Sequence, residues 1–293
     1  MLTMKKREQS ALNASDISSS LRCPLCHETV TIDDLKSIKC CNNHTFDFAK
    51  QGYVNMLQKP VSSQYDDTLF HARHNIITEA DLYEPIHKKI AELIQPEAEE
   101  YTLLFDAGSG EGSHLQSILD QVNDKNIRGI GLDISKEGII MAGKHYDQPL
   151  WFVGDLANPP LKDQSCKYIL NFLSPANYSE FKRILTQDGL IIKIIPGSGY
   201  LQEIRHALFN NTAESQYENN DTVELMKKNV EIISEERMTY TKNLDEAALK
   251  NLISMTPLGW HAERDQIEAF SSQGNKDITV DMHLVIAKDK QAI

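Results

Sequence analysis

Long hydrophobic runs are missing from this 293-residue chain. The longest, Leu190 to Ile195, is broken by Lys193 and falls well short of the roughly 20 residues a membrane span requires. The N-terminal "MLTMKKREQSALNASDISSS" has a basic start but no apolar core of about 7–15 residues behind it, which excludes a secretory signal. Residues 1–20 read as a mobile tail, and the protein as cytoplasmic. Cysteine is scarce too. There are five, four of them between Cys23 and Cys41, with Cys166 alone. An odd, clustered set excludes a disulfide framework and points to metal in a reducing compartment. Positive charge is in deficit, with a net charge of −12. The deficit is uneven: residues 1–64 carry eight Lys/Arg against six Asp/Glu, and the remainder 22 against 36. Any polyanion contact therefore belongs to the N-terminal portion or to a local patch.

What is present falls into two parts. The length suits an α/β domain of roughly 200 residues with an accessory. In the accessory, "LRCPLCHETVTIDDLKSIKCCNNH", Cys23-x2-Cys26 forms a tight knuckle whose two thiolates can grip one ion. After 13 residues come Cys40, Cys41 and His44. Two ligand pairs from two turns make a closed tetrahedral site, which suits structural Zn²⁺ and leaves no open catalytic position. Spacing alone leaves Cys40 and Cys41 as alternatives for the third ligand. His27 reads as a surface residue. A module of about 35 residues cannot bury enough core alone, so the metal should supply most of its folding. Phe46, Phe48, Tyr53, Val54 and Leu57 then read as the apolar side of a β-hairpin, with Lys50 and Gln51 near its tip. Such a module can stack on RNA or serve as a docking face.

Pro60 to Asp67, "PVSSQYDD", reads as a linker. Apolar residues at helical spacing follow from Thr68 to Ile94, with Pro85 marking the start of a second helix. The order of units is thus a tail (1–20), a zinc module (21–58), a linker with the first helix (59–80), and a catalytic domain (81–293).

Beyond it, strands and helices alternate: "YTLLFDAG", "IRGIGLDIS", "PLWFVGDL", "CKYILNFLS" and "GLIIKIIPG" as strands, with "VEIISEERMTYTK" and "TVDMHLVIAK" as two late, antiparallel edge strands. This rhythm implies a Rossmann-like, seven-stranded, mainly parallel sheet with helices on both faces. The first strand ends in Asp106-Ala-Gly108-Ser-Gly110-Glu-Gly112. Its glycines let backbone approach a ligand, and the following helix N-terminus suits a carboxylate. It is not a phosphate-binding GxxxxGK[ST] loop. Asp133, ending strand two, suits ribose hydroxyls, and Asp155, after strand three, the adenine amino group. A dehydrogenase shares part of this pattern. The D-x-G-x-G-x-G form with "GLDIS" and the late "HLVIAK" strand instead resembles the class I S-adenosylmethionine (SAM)-dependent methyltransferases.

Together, "CPLC…C-x3-H-x-FD-x-AK-x-GYVN-L" and "DAGSGEG", "GLDISK", "SPA" and "MTPLGW" resemble the RlmA-type 23S rRNA (guanine-N1)-methyltransferases over about residues 21–288. That resemblance implies a zinc module that helps recognise an rRNA hairpin, a domain that methylates guanine N1, and a dimer. It favours Cys23, Cys26, Cys40 and His44 as the ligands. It carries SAM contacts to Tyr83, His114, Leu115 and Tyr200, beside Gly108, Gly110, Asp133 and Asp155. Ser109 stands where relatives often have Cys, and "GSGYL" where others are bulkier and basic. Asn171, in "NFLSPAN" after strand four, is the candidate to orient the base or the cofactor amino group, with Pro175 shaping the wall. Arg73 is placed as a phosphate contact or on a solvated face. Competing functions are methylation of a small molecule with the zinc module as a lid, and zinc-dependent RNA binding without turnover. Loss of Cys23 is expected to leave SAM binding intact.

Overall fold

A computed structural model describes residues 4–59, 61, 66–96, 101–209, 220–260 and 262–290. Most of the predicted linker, residues 60 and 62–65, lies outside the described residues. Its end is the start of α2 (Asp67–Thr78), where the Asp66 side chain accepts from the Leu69 N–H at 2.9 Å. Such a cap fixes where the helix begins. Helix α3 (Glu84–Leu93) starts at the predicted proline, Pro85, whose missing N–H costs nothing in a first turn.

Among the described residues, most of the expected tail is ordered into helix. Lys6–Asp16 form helix α1, and Ala11, Ala14 and Ile17 are almost wholly buried. The small Ala side chains let the helix lie close against its neighbours. Asn13 donates to the carbonyls of Asp147 and Gln148 at 2.8 and 3.0 Å, and Lys6 pairs with Asp147. Few apolar residues and a polar majority hid this helix from its sequence.

The metal module holds a three-stranded antiparallel sheet, β1 (Val30–Asp33), β2 (Ser37–Cys40) and β3 (Thr45–Asp47). The turn after it spans Ala49–Gly52, so Lys50 and Gln51 sit at the expected tip. Phe48 bridges to Val54 across that turn. The returning strand, β4 (Val54–Asn55), then leaves the module and pairs in parallel with β7 (Leu150–Val153).

The central sheet therefore has eight strands, not seven, in the order β10-β11-β9-β8-β5-β6-β7-β4. Its parallel core is β5 (Thr102–Ala107), β6 (Ile127–Asp133), β7, β8 (Cys166–Phe172) and β9 (Leu185–Pro196). The late strands β10 (Val230–Leu244) and β11 (Lys276–Asp289) are antiparallel at the far edge, as expected. This is the class I methyltransferase fold, extended by one strand from the zinc module. Alternation along β5 splits the core: Leu104 faces the layer with α2, α3 and α9 (Glu246–Ser254), and Leu103 and Phe105 face the layer with α1 and α6 (Tyr178–Ile184). The remaining helices are α4 (Ser113–Val122), α5 (Lys136–His145), α7 (Gln202–Phe209), α8 (Asn220–Asn229) and α10 (Arg264–Ser271).

Candidate active site and metal centre

At the carboxyl ends of β5, β6, β7 and β8 lies a cavity of about 620 Å³, the usual place for a ligand in such sheets. Tyr83, Gly108, Gly110, His114, Asp133, Asp155 and Tyr200 all line it. The glycine turn is held from β6. Asp133 accepts from the Gly110 N–H and the Ser135 N–H, both at 2.8 Å. Burial nonetheless raises its carboxyl above the usual range. Gly110 (φ 57°) and Gly112 (φ 84°) occupy the left-handed region. A Cβ on Gly112 would come within 2.4 Å of the buried Trp151 ring. Gly112→Ala is therefore expected to cost about 2–5 kcal/mol through the positive φ and the ring clash together. Denaturant unfolding measures that loss, and cofactor binding should fall with it.

Below the glycine turn the chemistry is acidic. Asp106 and Glu111 are almost fully buried. Neither Asp106 oxygen has a hydrogen-bond partner among the described residues. Burial pushes the Asp106 carboxyl up to about 8, against the pull of Arg73. Arg73 Nε lies 3.0 Å from Glu111 Oε2, and the guanidinium covers the turn, 3.0 Å from where a Gly110 Cβ would be. It is thus a half-buried counter-ion of the buried acids rather than a residue of a solvated outer face. Asp106 is buried below the turn and is not itself part of the cavity wall, where the acids are Asp133 and Asp155. A ligand carrying positive charge, as SAM does on its ammonium and sulfonium, suits this acidic end.

On the other wall, the Tyr83 and Tyr200 hydroxyls meet at 2.6 Å. Tyr200 rides on the Gly197–Leu201 turn, which the buried Asp281 organises. Asp281 accepts from Gly199 N–H at 2.8 Å, from both prongs of Arg237 at 2.8 Å, and from Thr239 at 3.0 Å. Arg237, before any other partner, holds the Asp281 carboxyl down to about 2. His114 stacks on Phe172 with centroids 3.7 Å apart and meets His87 Nε2 at 2.8 Å through its Nδ1. Burial lowers both imidazoles, His87 to about 4, so the pair is neutral at pH 7.

Two predicted residues stand elsewhere. Leu115 is fully buried in the hydrophobic core and is not part of the cavity wall. Asn171 is also fully buried. Its amide donates to the Ala107 and Pro175 carbonyls at 3.0 Å and to Ser174 Oγ at 2.6 Å, and its oxygen accepts from Lys193. It holds the Leu173–Pro175 loop, whose residues do line the cavity, so its role is positioning rather than contact with a reacting group. Sequence reading also left out Leu69, Phe70 and the segment Met255 to Leu258, which supply an apolar wall. "MTPLGW" was visible as a motif, without any sign that it faces a cavity.

In the N-terminal module, the ligand atoms of Cys23, Cys26, Cys40 and His44 all lie within 4.8 Å of one another. Cys26 Sγ is 3.7 Å from Cys40 Sγ, and His44 Nδ1 is 3.5 and 3.4 Å from the sulfurs of Cys23 and Cys40. A tetrahedron built on normal zinc bonds has edges of about 3.8 Å between sulfurs and about 3.6 Å between sulfur and nitrogen. The four donors fit Zn²⁺. Cys41 is exposed and outside the cluster, which settles the choice for Cys40.

Comparison with known proteins agrees. The family model of the RlmA N-terminal zinc ribbon matches residues 21–64. YxjB of Bacillus subtilis (strain 168), provisionally named a 23S rRNA (guanine-N(1)-)-methyltransferase, is 40% identical over 273 residues, 92% of this chain and 96% of YxjB. This chain belongs to the RlmA-type 23S rRNA (guanine-N1)-methyltransferase family. A Streptomyces fradiae relative, named 23S rRNA (guanine(748)-N(1))-methyltransferase, is 30% identical over 250 residues, 84% of this methyltransferase and 88% of that one. The Cys3His cluster suits the zinc of this family, and the acid-lined cavity is the candidate site for its cofactor, SAM. No helix among the described residues is long and apolar enough to cross a membrane.

Proposed function

We propose that the enzyme transfers the SAM methyl group to N1 of a guanine in 23S rRNA, within a hairpin that the zinc module helps to recognise. The observation carrying this reading is one cavity with two unlike halves. One half has the glycine turn and the strand-end acids. The other has Leu69, Phe70, Leu173, Pro175, Met255 and Leu258, an apolar wall against which a purine can lie. The substrate places the protein with ribosomes in the cytoplasm, and the resemblance to the family supports a homodimer.

The bound cofactor supplies a methyl group on a good sulfonium leaving group. The protein's part is to hold N1 in line with it and to exclude water, which is positioning work. Asp133 is placed for the ribose, Asp155 for the adenine edge, and Tyr83 and Tyr200 close the opposite wall. Burial raises the Tyr83 phenol to about 12 and holds Tyr200 well above its ordinary range, so both hydroxyls stay protonated. Asn171 and Lys193, through Ser174 and Pro175, fix the loop on the substrate side. With SAM bound, N1 of guanine would take the methyl carbon while the carbon–sulfur electron pair returned to the neutral thioether of S-adenosylhomocysteine, and the N1 proton would pass to solvent. The base must leave its stack to enter, so a loop nucleotide is the fitting substrate.

The test is methyl transfer from radiolabelled SAM to unmodified 23S rRNA, followed by nucleoside identification. Label in N1-methylguanosine is the expected result. Label in another nucleoside, or none in RNA while SAM binds, rejects the reading.

A further inference from the structure

The zinc knuckle rests on the segment that ends in the cofactor cavity. Pro24 lies between Cys23 and Cys26, and its carbonyl accepts from Asn158 Nδ2 at 2.7 Å. Arg22, one residue before the knuckle, donates to Asn158 Oδ1 at 3.0 Å. Both ends of one amide are therefore held by the metal module. The Asn158 N–H donates to the Asp155 carbonyl at 2.9 Å, and the Ala157 N–H to Asp155 Oδ1 at 2.8 Å. Asp155 and Leu156 line the cavity.

This turn belongs to no helix or strand. The catalytic domain holds its two ends, Gly154 N–H donating to the Asp133 carbonyl at 2.9 Å and Arg183 to the Leu161 carbonyl at 2.7 Å, and the module adds further braces. Leu21 bridges Leu161, the Arg22 N–H donates to the Pro160 carbonyl, and the Met56 N–H after β4 donates to Val153 at the end of β7. A turn without regular structure keeps its shape only through such contacts. The knuckle in turn keeps its shape through the metal.

We infer that Asn158 is a positioning residue that couples the zinc knuckle to the nucleoside end of the cofactor site, so that zinc and cofactor bind cooperatively. This rests on the cavity being the SAM site. Metal loss frees the Pro24 carbonyl, the Asp155–Asn158 turn loosens, and cofactor affinity falls. Linkage requires the reverse effect of equal size: bound cofactor must tighten zinc by the same factor. Loss of Cys23 should then weaken SAM binding, contrary to the expectation from sequence that the two sites are independent.

The experiment measures zinc affinity by equilibrium competition with a chromophoric chelator, with and without saturating S-adenosylhomocysteine, on the full chain. Calorimetry gives the S-adenosylhomocysteine affinity alongside. In the wild type, S-adenosylhomocysteine should tighten zinc about tenfold. Asn158→Ala should still bind one zinc, bind S-adenosylhomocysteine about tenfold more weakly, and lose the tightening. Asn158→Asp, isosteric and still able to accept from Arg22 but unable to donate to Pro24, should also lose it; this guards against a misfolded alanine variant. Purely local damage would weaken S-adenosylhomocysteine while leaving the coupling factor unchanged, and would overturn the proposal. So would a wild type that binds S-adenosylhomocysteine with no change in zinc affinity. Absence of S-adenosylhomocysteine binding to the wild type overturns the cofactor site itself, and the coupling with it.

Discussion

Cys40→Ser is expected to strip zinc and unfold residues 21–58, whereas Cys41→Ser leaves both intact. The two cysteines are adjacent, yet only Cys40 is buried with its sulfur inside the ligand cluster. The module's own resources are small. Its sheet has three strands of four, four and three residues, and Ile38 is the one fully buried apolar side chain within them. Structural zinc contributes roughly 10–16 kcal/mol to the folding of small modules, far above what this sheet can supply. A serine hydroxyl at position 40 is a poor replacement for a thiolate. The expected result is one zinc per chain for wild type and Cys41→Ser, and much less than one for Cys40→Ser, by elemental analysis. Limited proteolysis should cut the Cys40→Ser protein within residues 21–58. On the proposed roles of the module, in RNA recognition and in bracing Asp155, rRNA methylation should fall by at least about a hundredfold. Full zinc and activity in Cys40→Ser would mean the cluster is not the metal site.

That choice between neighbours shows where sequence is and is not sufficient. The strand-end acids were legible because each lies at the end of an apolar run followed by turn residues, a local pattern. Gly108, Gly110, Asp133 and Asp155 follow from such patterns, Tyr83, His114 and Tyr200 only from the family resemblance, and all seven line one cavity. Arg73 was misplaced although its spacing held the answer. Leu69, Phe70, Ile76 and Ile77 are buried on α2, and position 73 falls on the same stripe, three after Phe70 and four before Ile77. A charge on an apolar stripe has to find a buried partner, and it finds Glu111 from the glycine turn. Asn171 failed for another reason. Its type and place fit a substrate contact, and only the tertiary structure shows its amide spent on Ala107, Ser174 and Pro175. Strand β4 has two residues and pairs with a strand nearly a hundred positions later, so no local signal marks it. The same long-range pairing turned a separate module into part of the catalytic sheet.

The second large effect expected is a proton linked to cofactor binding. Without cofactor, Asp106 is neutral up to about pH 8, because burial outweighs the attraction of Arg73 and because Asp133 and Glu111 add negative charge nearby. An exposed aspartate ionises near pH 4 (about 3.9). The folded protein thus keeps a proton that the unfolded chain releases. The resulting stability is fully present below about pH 4 and is lost as pH rises through about 8. A cationic ligand in the cavity, across the glycine turn from Asp106, reverses the balance by favouring the carboxylate. Binding must then expel the proton, and affinity for S-adenosylhomocysteine should rise with pH, by up to about tenfold per unit between about pH 5.5 and 7.5. Calorimetry in buffers of different ionisation enthalpy should show close to one proton released. Asp106→Asn fixes the neutral state: its affinity should match the wild type near the acid end and stay flat as the wild type strengthens. A flat wild-type profile with no proton released would place the cofactor's charge away from Asp106. In that case the buried carboxyl would be a structural acid paired in charge with Arg73, and the methionine end of the cofactor would have to be sought against Asp133 and the cavity-facing Gly108 and Gly110.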